Sequence, residues 1–174
     1  MIVYMFVLFI IVLQRIYELF IAKQNEIWMR ERGAEEFGED HYKWIVLMHF
    51  CFFAALSIEV VLRGAELISW WPVVLSVFLT AQVARCWLII SLGRFWNTKI
   101  IVMPGEKKVN KGLYKWIRHP NYVVVAVEIL TLPLLFQAYV TAILFTLLNS
   151  AILIFVRIPV EEKALKFLSE GDHT

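Results

Sequence analysis

Residues 122–156 read YVVVAVEILTLPLLFQAYVTAILFTLLNSAILIFV and contain two apolar runs, 122–136 and 139–156. Only Gln137 and Ala138 separate the two runs. Runs of this hydropathy are typical of helices in lipid, and so short a connection predicts a tight helical hairpin. Because the first run is shorter than the about 20 residues that cross a bilayer, the hairpin need not cross it completely.

Three more apolar segments precede the hairpin, at residues 2–22, 44–62 and 70–92. Of the 174 residues, 60% are hydrophobic and only 18% are charged, and the mean hydropathy is +0.69. A chain this short cannot bury so much apolar surface in one aqueous core, so lipid must solvate part of it. The sequence therefore predicts an all-α integral membrane protein with about five transmembrane helices and a C-terminal helical hairpin.

Lysine and arginine are distributed unequally among the segments that connect the predicted spans. Residues 23–43 contain four of them and residues 93–118 contain seven, whereas the opposite side has only Arg63. The positive-inside rule then predicts an N-terminus outside and a C-terminus in the cytoplasm. Since no cationic start and no small-residue cleavage site flank the first run, we interpret it as a retained span and not as a signal peptide.

The predicted spans divide the chain into two regions. Residues 1–92 form a membrane region of three spans, and residues 93–174 contain an interfacial segment, the hairpin and a C-terminal helix. Residues 25–42 alternate acidic and basic side chains, which predicts a short amphipathic helix or an ordered loop on the membrane surface. Pro159, just after the last run, predicts a bend at which a new helix begins.

Polar side chains also occur inside the predicted spans, where they are costly and usually face the bundle interior or a wet cavity. In the first and third spans, an arginine lies three residues from a polar or acidic partner and shares a helical face with it. This pattern is compatible with a polar pocket open to the cytoplasm and equally with a structural ion pair. A lone glutamate in the fourth span requires a partner. The residues are Gln14, Arg15, Glu18, Gln82, Arg85 and Glu128.

The stretch 112–122 reads GLYKWIRHPNY and ends where the hairpin begins. Pro120 suits the first turn of a helix, where its missing N–H is not needed. His119 and Asn121 then lie at the N-terminus of that helix, where backbone N–H groups and the helix dipole favour an anion. A membrane boundary marked by an arginine and a histidine would explain the same residues without a site.

A second polar group follows the hairpin. Arg157 and Glu161 are four residues apart and therefore share one face of a helix. Because a hairpin returns the chain to the side that it left, His119 and Arg157 are expected at a similar depth. Basic, aromatic and acidic side chains would then meet where water meets lipid.

Together these residues resemble the isoprenylcysteine carboxyl methyltransferase family of membrane enzymes, over about residues 92–168. The resemblance rests on Arg-His-Pro-Asn-Tyr at 118–122, two closely joined spans, and the distal Arg157 with Glu161. It implies methylation by S-adenosylmethionine of an acidic oxygen, either a carboxylate or an enol or phenol, on a lipophilic substrate from the bilayer. The motif looks like the bacterial branch, which includes enzymes similar to O-methyltransferases for alkylpyrones.

The resemblance also implies roles for particular residues. Arg157 would engage the substrate and Glu161 the cofactor, so these two are the catalytic candidates. The cofactor would be reached from the cytoplasm, in a bacterial cell membrane. The other candidates for the cofactor site are Val109, Tyr114, His119, Pro120, Asn121 and Tyr122.

Two other functions remain open. Membrane reductases of the sterol-reductase type share a similar Arg-His-Pro-Asn-Tyr stretch and use NADPH, although the distal Arg157 with Glu161 favours methyl transfer. A non-catalytic scaffold or a small transporter is the third possibility. The net charge of +2 is too small to indicate nucleic-acid binding. The histidines show no metal-ligand spacing, so no metal is expected.

Overall fold

A computed structural model describes residues 1–106 and 109–170, with side chains described as far as residue 166 in the last helix. Lys107 and Lys108, two of the seven cations counted in residues 93–118, lie outside this part. So does His173, one of the histidines considered as metal ligands. The helices are α1 (Ile2–Arg30), α2 (Glu39–Leu62), α3 (Trp71–Leu92), α4 (Pro120–Leu135), α5 (Tyr139–Ile152) and α6 (Ile158–Glu170). Two short strands are β1 (Glu35–Phe37) and β2 (Ile100–Val102).

Four helical segments are long and apolar enough to cross a membrane: α1, α2, α3 and the continuous helix from Tyr139 to Lys166. Helix α4 is shorter. Large apolar side chains cover the outer surface of these helices, as at Phe50 and Phe155, which are 73% and 78% exposed. Such a surface requires lipid as its solvent. The predicted all-α membrane fold with a C-terminal hairpin is confirmed.

The hairpin of α4 and α5 runs the full length of the helical bundle. Its tip contacts the loop between α2 and α3, where the Ile68 amide donates to the Leu135 carbonyl at 3.1 Å. The Gln137 side chain also donates to the Leu67 carbonyl at 3.2 Å. Gln137 itself has a φ of 59°, which lets the chain reverse in two residues. The 16 residues of α4 therefore reach from the motif end of the bundle to the opposite end.

The start of α5 is capped by a side chain from another helix. Glu59 of α2 accepts hydrogen bonds from the backbone amides of Val140 and Thr141, at 3.1 and 2.8 Å, and from the Thr141 hydroxyl. These amides have no partner within their own helix, and a carboxylate there also interacts favourably with the helix dipole. Arg63 balances the charge at 2.9 Å. Glu59 thus ties α2 to the hairpin.

At the other end of the bundle, the connectors form an ordered base. Strand β1 pairs with β2 in antiparallel register, with Glu36 opposite Ile101. Lys99, beside β2, binds Glu26 of α1 at 3.0 Å and Glu36 of β1 at 3.1 Å. The expectation of a separate amphipathic helix or loop over residues 25–42 was wrong in part. Helix α1 continues to Arg30 because ion pairs along its surface support it beyond the apolar run.

Helix α5 leads into α6 without interruption. A π-helical turn at Leu153–Arg157 joins the two, and the helical path continues through Pro159. Pro159 thus stands in the first turn of α6, as expected, but α6 continues the preceding helix and is not separated from it by a non-helical segment. A proline needs relief at the preceding turn, and the wider π turn supplies it without breaking the helix.

Candidate active site

The site is built around the first turn of α4. His119 is the residue that precedes this helix, and Pro120 is its first residue. The rings of His119 and Tyr122 stack, with centroids 5.5 Å apart and planes inclined by 14°. Pro120 restricts the backbone between them, and both side chains also contact Glu161 of the last helix.

Tyr122 connects the motif to the helix that follows the hairpin. Its phenolic oxygen accepts a hydrogen bond from Nε of Arg157 at 3.2 Å and donates one to Glu161. Arg157 also donates from Nη2 to the backbone carbonyl of Thr98 at 2.7 Å. The two groups that are far apart in sequence therefore meet at one hydroxyl.

Arg157 is a buried cation, with 7% of its surface exposed. No carboxylate forms an ion pair with it among the described residues, and its Nη1 makes no hydrogen bond there. Glu161 interacts with Arg157 only electrostatically, with the Tyr122 hydroxyl between them. Because a buried charge without a direct ion pair is costly, the guanidinium attracts a further anion. Arg157 is the last residue of the π turn and the buried one within it.

His119 faces the carboxylates of the last helix. Its Nδ1 lies 3.3 Å from an oxygen of Glu161, and its Nε2 lies 3.7 Å from an oxygen of Glu162. The contact with Glu161 raises the pKa of His119 above its ordinary value of 6.5, although burial opposes this. The charges are close enough to pair, but neither ring nitrogen has the alignment of a hydrogen bond with a described residue.

A cavity of about 470 Å³ lies beside these groups. Its walls come from α1 to α6 and from the segment around β2, and they include large apolar side chains such as Phe52 and Leu132. Every residue that the sequence singled out for the site lies on this wall: Val109, Tyr114, His119, Pro120, Asn121, Tyr122, Arg157 and Glu161. The cavity therefore has a polar end and an apolar interior, which suits a ligand that has both a polar and an apolar part.

Several polar atoms at the polar end make no hydrogen bond with a described residue, although the His119 ring faces the carboxylates of Glu161 and Glu162. These atoms are both ring nitrogens of His119 and Oδ1 of Asn121. Nearby, burial and the charge of Glu161 raise the pKa of Tyr114, which keeps its hydroxyl protonated. Buried polar atoms normally find partners, so unpaired ones around a cavity fit a polar ligand.

The polar residues inside the spans form one network at the deeper wall of the cavity. Arg85 of α3 donates to both oxygens of Glu128 and, at 3.3 Å, to Glu18. Arg15 of α1 binds the same two carboxylates at 2.7 and 2.9 Å. Gln14 and Gln82 complete it. Glu128 has the partner that its apolar surroundings require. The network is a set of interhelical ion pairs, and Arg15, Glu18, Arg85 and Glu128 also line the cavity.

Some residues of the site carry no signal in the sequence. Thr98 contributes through its backbone carbonyl, which any residue possesses. Tyr42 lines the cavity and hydrogen-bonds the Thr98 hydroxyl at 3.0 Å, but it lies 56 positions away. Only the pairing of β1 with β2 brings these residues to the motif.

The fold and the cavity define an integral membrane protein with a buried polar site beside its C-terminal hairpin. The sequence matches the isoprenylcysteine carboxyl methyltransferase family over residues 73–167, and the chain belongs to this family. It is thus a membrane methyltransferase, of a family that uses S-adenosylmethionine, and the reductase alternative is not favoured.

Two relatives extend over nearly the whole chain. The uncharacterized protein YpbQ of Bacillus subtilis (strain 168) is 50% identical over 157 residues, which are 90% of this chain and 93% of that protein. An uncharacterized protein of Haemophilus influenzae (strain ATCC 51907 / DSM 11121 / KW20 / Rd) is 30% identical over 156 residues, 88% of this chain and 90% of that one. No solved structure matches the chain.

Proposed function

We propose that the protein transfers a methyl group from S-adenosylmethionine to the acidic oxygen of a lipophilic acceptor that enters from the bilayer. The acceptor oxygen is a carboxylate, an enol or a phenol, and long-chain alkylpyrones are one candidate class. The observation that carries this proposal is the buried Arg157, which lacks an ion-pair partner among the described residues and lies on the cavity wall. An anionic oxygen would neutralise it.

In this proposal Arg157 holds the oxygen of the acceptor and favours its ionised form. Tyr122 fixes the guanidinium through the 3.2 Å hydrogen bond to its Nε. A carboxylic acid, with a pKa of about 4.3, is already ionised at neutral pH and needs no base. For an enol or phenol of higher pKa, His119 or Glu161 would accept the proton, since both lie at the polar end of the cavity.

The polar end of the cavity also supports a cofactor site. The ring nitrogens of His119 and Oδ1 of Asn121 make no hydrogen bond with a described residue, so they fit the hydrogen-bonding groups of such a ligand. Val109, Tyr114 and Pro120 would serve as walls and Glu161 as an acidic contact. When bound, S-adenosylmethionine supplies a sulfonium methyl, and the C–S bond breaks as the C–O bond forms. Because opposite charges then cancel, a cavity that excludes water favours the reaction.

We further propose that residues 93–174 carry the reacting groups and that residues 1–92 complete the cavity wall. The cation-rich connectors would face the cytoplasm of a bacterial cell, with the N-terminus outside. Labelling with a membrane-impermeant maleimide tests this orientation after Cys51 and Cys86 are replaced by alanine. Glu66→Cys should react in intact cells, and Arg32→Cys only after permeabilisation; the reverse pattern would invert the topology.

The cofactor and the role of Arg157 are tested with purified protein in mild detergent. Calorimetry should detect binding of S-adenosylmethionine and S-adenosylhomocysteine but not of NADPH. Arg157→Gln should retain that binding and lose labelling of long-chain acids by methyl-labelled S-adenosylmethionine. Arg32→Gln, an exposed control at the same end of the bundle, should behave as the unmodified protein. Binding of NADPH alone would favour the reductase, and full activity of Arg157→Gln would refute the role of Arg157.

A further inference from the structure

Asn149 is a buried polar side chain near the C-terminal end of α5. It is 1% exposed, and its Nδ2 donates no hydrogen bond to any residue that the structure describes. A buried carboxamide normally finds a partner, above all in a membrane, where water is not at hand to replace one. Asn149 lies on the wall of the cavity. A molecule that occupies the cavity could therefore supply the hydrogen-bond acceptor that Nδ2 lacks.

Asn149 belongs to a stripe of residues that face the cavity at a spacing of four. In an α-helix a step of four residues overshoots a full turn by about 40°, so a long stripe of this kind would drift around the helix. The π turn at Leu153–Arg157 rotates the chain less per residue and offsets part of this drift. The stripe consists of Asn149, Leu153, Arg157, Glu161 and Leu165.

The backbones of Asn149 and Arg157 are two turns apart, roughly 12 Å along the helix axis. Side chains of a helix lean toward its N-terminus, so the long Arg157 side chain shortens the distance between the two polar groups. The cavity wall also includes apolar side chains such as Phe52 and Ile129. A lipophilic molecule held by its anionic oxygen at Arg157 would thus extend an uncharged part toward Asn149.

We propose that Asn149 donates a hydrogen bond to a second, uncharged oxygen of the acceptor. The inference rests on the proposed function, since it takes Arg157 as the place of the anionic oxygen. It narrows the acceptor to a lipophilic acid with an additional ketone, ester or hydroxyl oxygen away from the reacting one. A plain hydrocarbon chain leaves the carboxamide unpaired and is a poorer ligand.

The inference is tested by measuring the melting temperature of the protein in detergent, with saturating S-adenosylhomocysteine. The added ligands are stearate and a set of oxo-stearates that differ in the position of the ketone along the chain. At least one oxo-stearate should raise the melting temperature of the unmodified protein more than stearate does. Asn149→Leu, of similar size, should abolish this difference. Thr146→Val is the matched control, because the Thr146 hydroxyl is also buried and unpaired on α5 but does not line the cavity. It should retain the preference.

Equal effects of stearate and every oxo-stearate on the unmodified protein, or a preference that survives Asn149→Leu, would overturn the inference. So would a marked fall in the melting temperature of the ligand-free Asn149→Leu protein, since it would reveal a structural bond. Removing an unpaired polar group should instead leave that temperature equal or higher. Ligand binding is measured without methyl transfer, so a preserved preference in a protein that transfers no methyl group would count against the proposed function alone.

Discussion

The Nε atom of Arg157 lies 3.2 Å from the phenolic oxygen of Tyr122, and that oxygen donates a hydrogen bond to Glu161. One hydroxyl therefore positions a buried cation and a carboxylate at the same time. The residue that supplies it comes from the first turn of α4, whereas its two partners flank the junction of the π turn with α6. Neither partner is held in this geometry by its own helix alone.

Tyr122→Phe should lower methyl transfer about 10- to 100-fold, because a hydrogen bond to a charged group contributes about 1.5–3 kcal/mol. The ring remains to stack on His119, so folding should be little affected. The measurement is kcat/KM with methyl-labelled S-adenosylmethionine. Tyr17→Phe, at a tyrosine that is 66% exposed on α1, is the control. Unchanged kcat/KM in Tyr122→Phe would mean that the shared hydroxyl has no part in the reaction.

The contact between His119 and Glu161 predicts a pH-dependent stability. Glu161 raises the pKa of His119 in the folded protein above the unfolded value of 6.5, so the protonated form stabilises the fold. This stabilisation is complete below about pH 6.5 and is lost as the pH rises through the higher folded pKa. Melting temperatures of the unmodified protein and of His119→Gln should differ most at acid pH and converge at alkaline pH.

The same measurement separates the two carboxylates near His119. Glu161→Gln should remove most of the pH-dependent difference, since Glu161 lies 3.3 Å from Nδ1. Glu162→Gln should remove less, because Glu162 lies 3.7 Å from Nε2 and has a more exposed side chain. A larger effect of Glu162→Gln would show that Glu162, and not Glu161, is the main partner of His119.

The charge network inside the membrane should be sensitive to the loss of a single member. Glu128→Gln leaves Arg85 and Arg15 with too little negative charge, and breaking a buried pair in this way costs about 3–5 kcal/mol. The double variant Arg85→Met with Glu128→Leu removes a matched pair and should be more stable than Glu128→Gln. Unfolding in increasing sodium dodecyl sulfate measures both. Equal stability of Glu128→Gln and the unmodified protein would contradict a closed network.

The cap at the start of α5 predicts a smaller effect on stability and none on ligand binding. Glu59→Gln should lower the free energy of unfolding by about 1 kcal/mol, because it removes a charged acceptor from two helix-terminal amides. Glu66→Gln, in the adjacent loop, should have no effect. Binding of S-adenosylhomocysteine should be the same in both variants, since Glu59 lies at the opposite end of the hairpin. Weaker binding in Glu59→Gln would show that the hairpin transmits the change to the site.

The membrane fold and its hairpin were predictable because they follow from local quantities. Hydropathy identified all five apolar helices, and the two-residue join at Gln137 specified the reversal. The ends of the helices were less predictable. Helix α1 continues to Arg30 with support from local ion pairs and also from Lys99, which binds Glu26 from 73 positions away.

By itself, the sequence determined which segments enter lipid, that α4 and α5 turn back on each other, and which residues are candidates for the site. Hydropathy and helical spacing carry that information, since each depends on neighbours a few positions apart. Only the tertiary structure decided that Tyr122 joins Arg157 to Glu161, that the Thr98 carbonyl completes the site, and that Asn149 faces the same cavity. These contacts depend on the rotation and depth at which separate helices pack, and no local pattern encodes either.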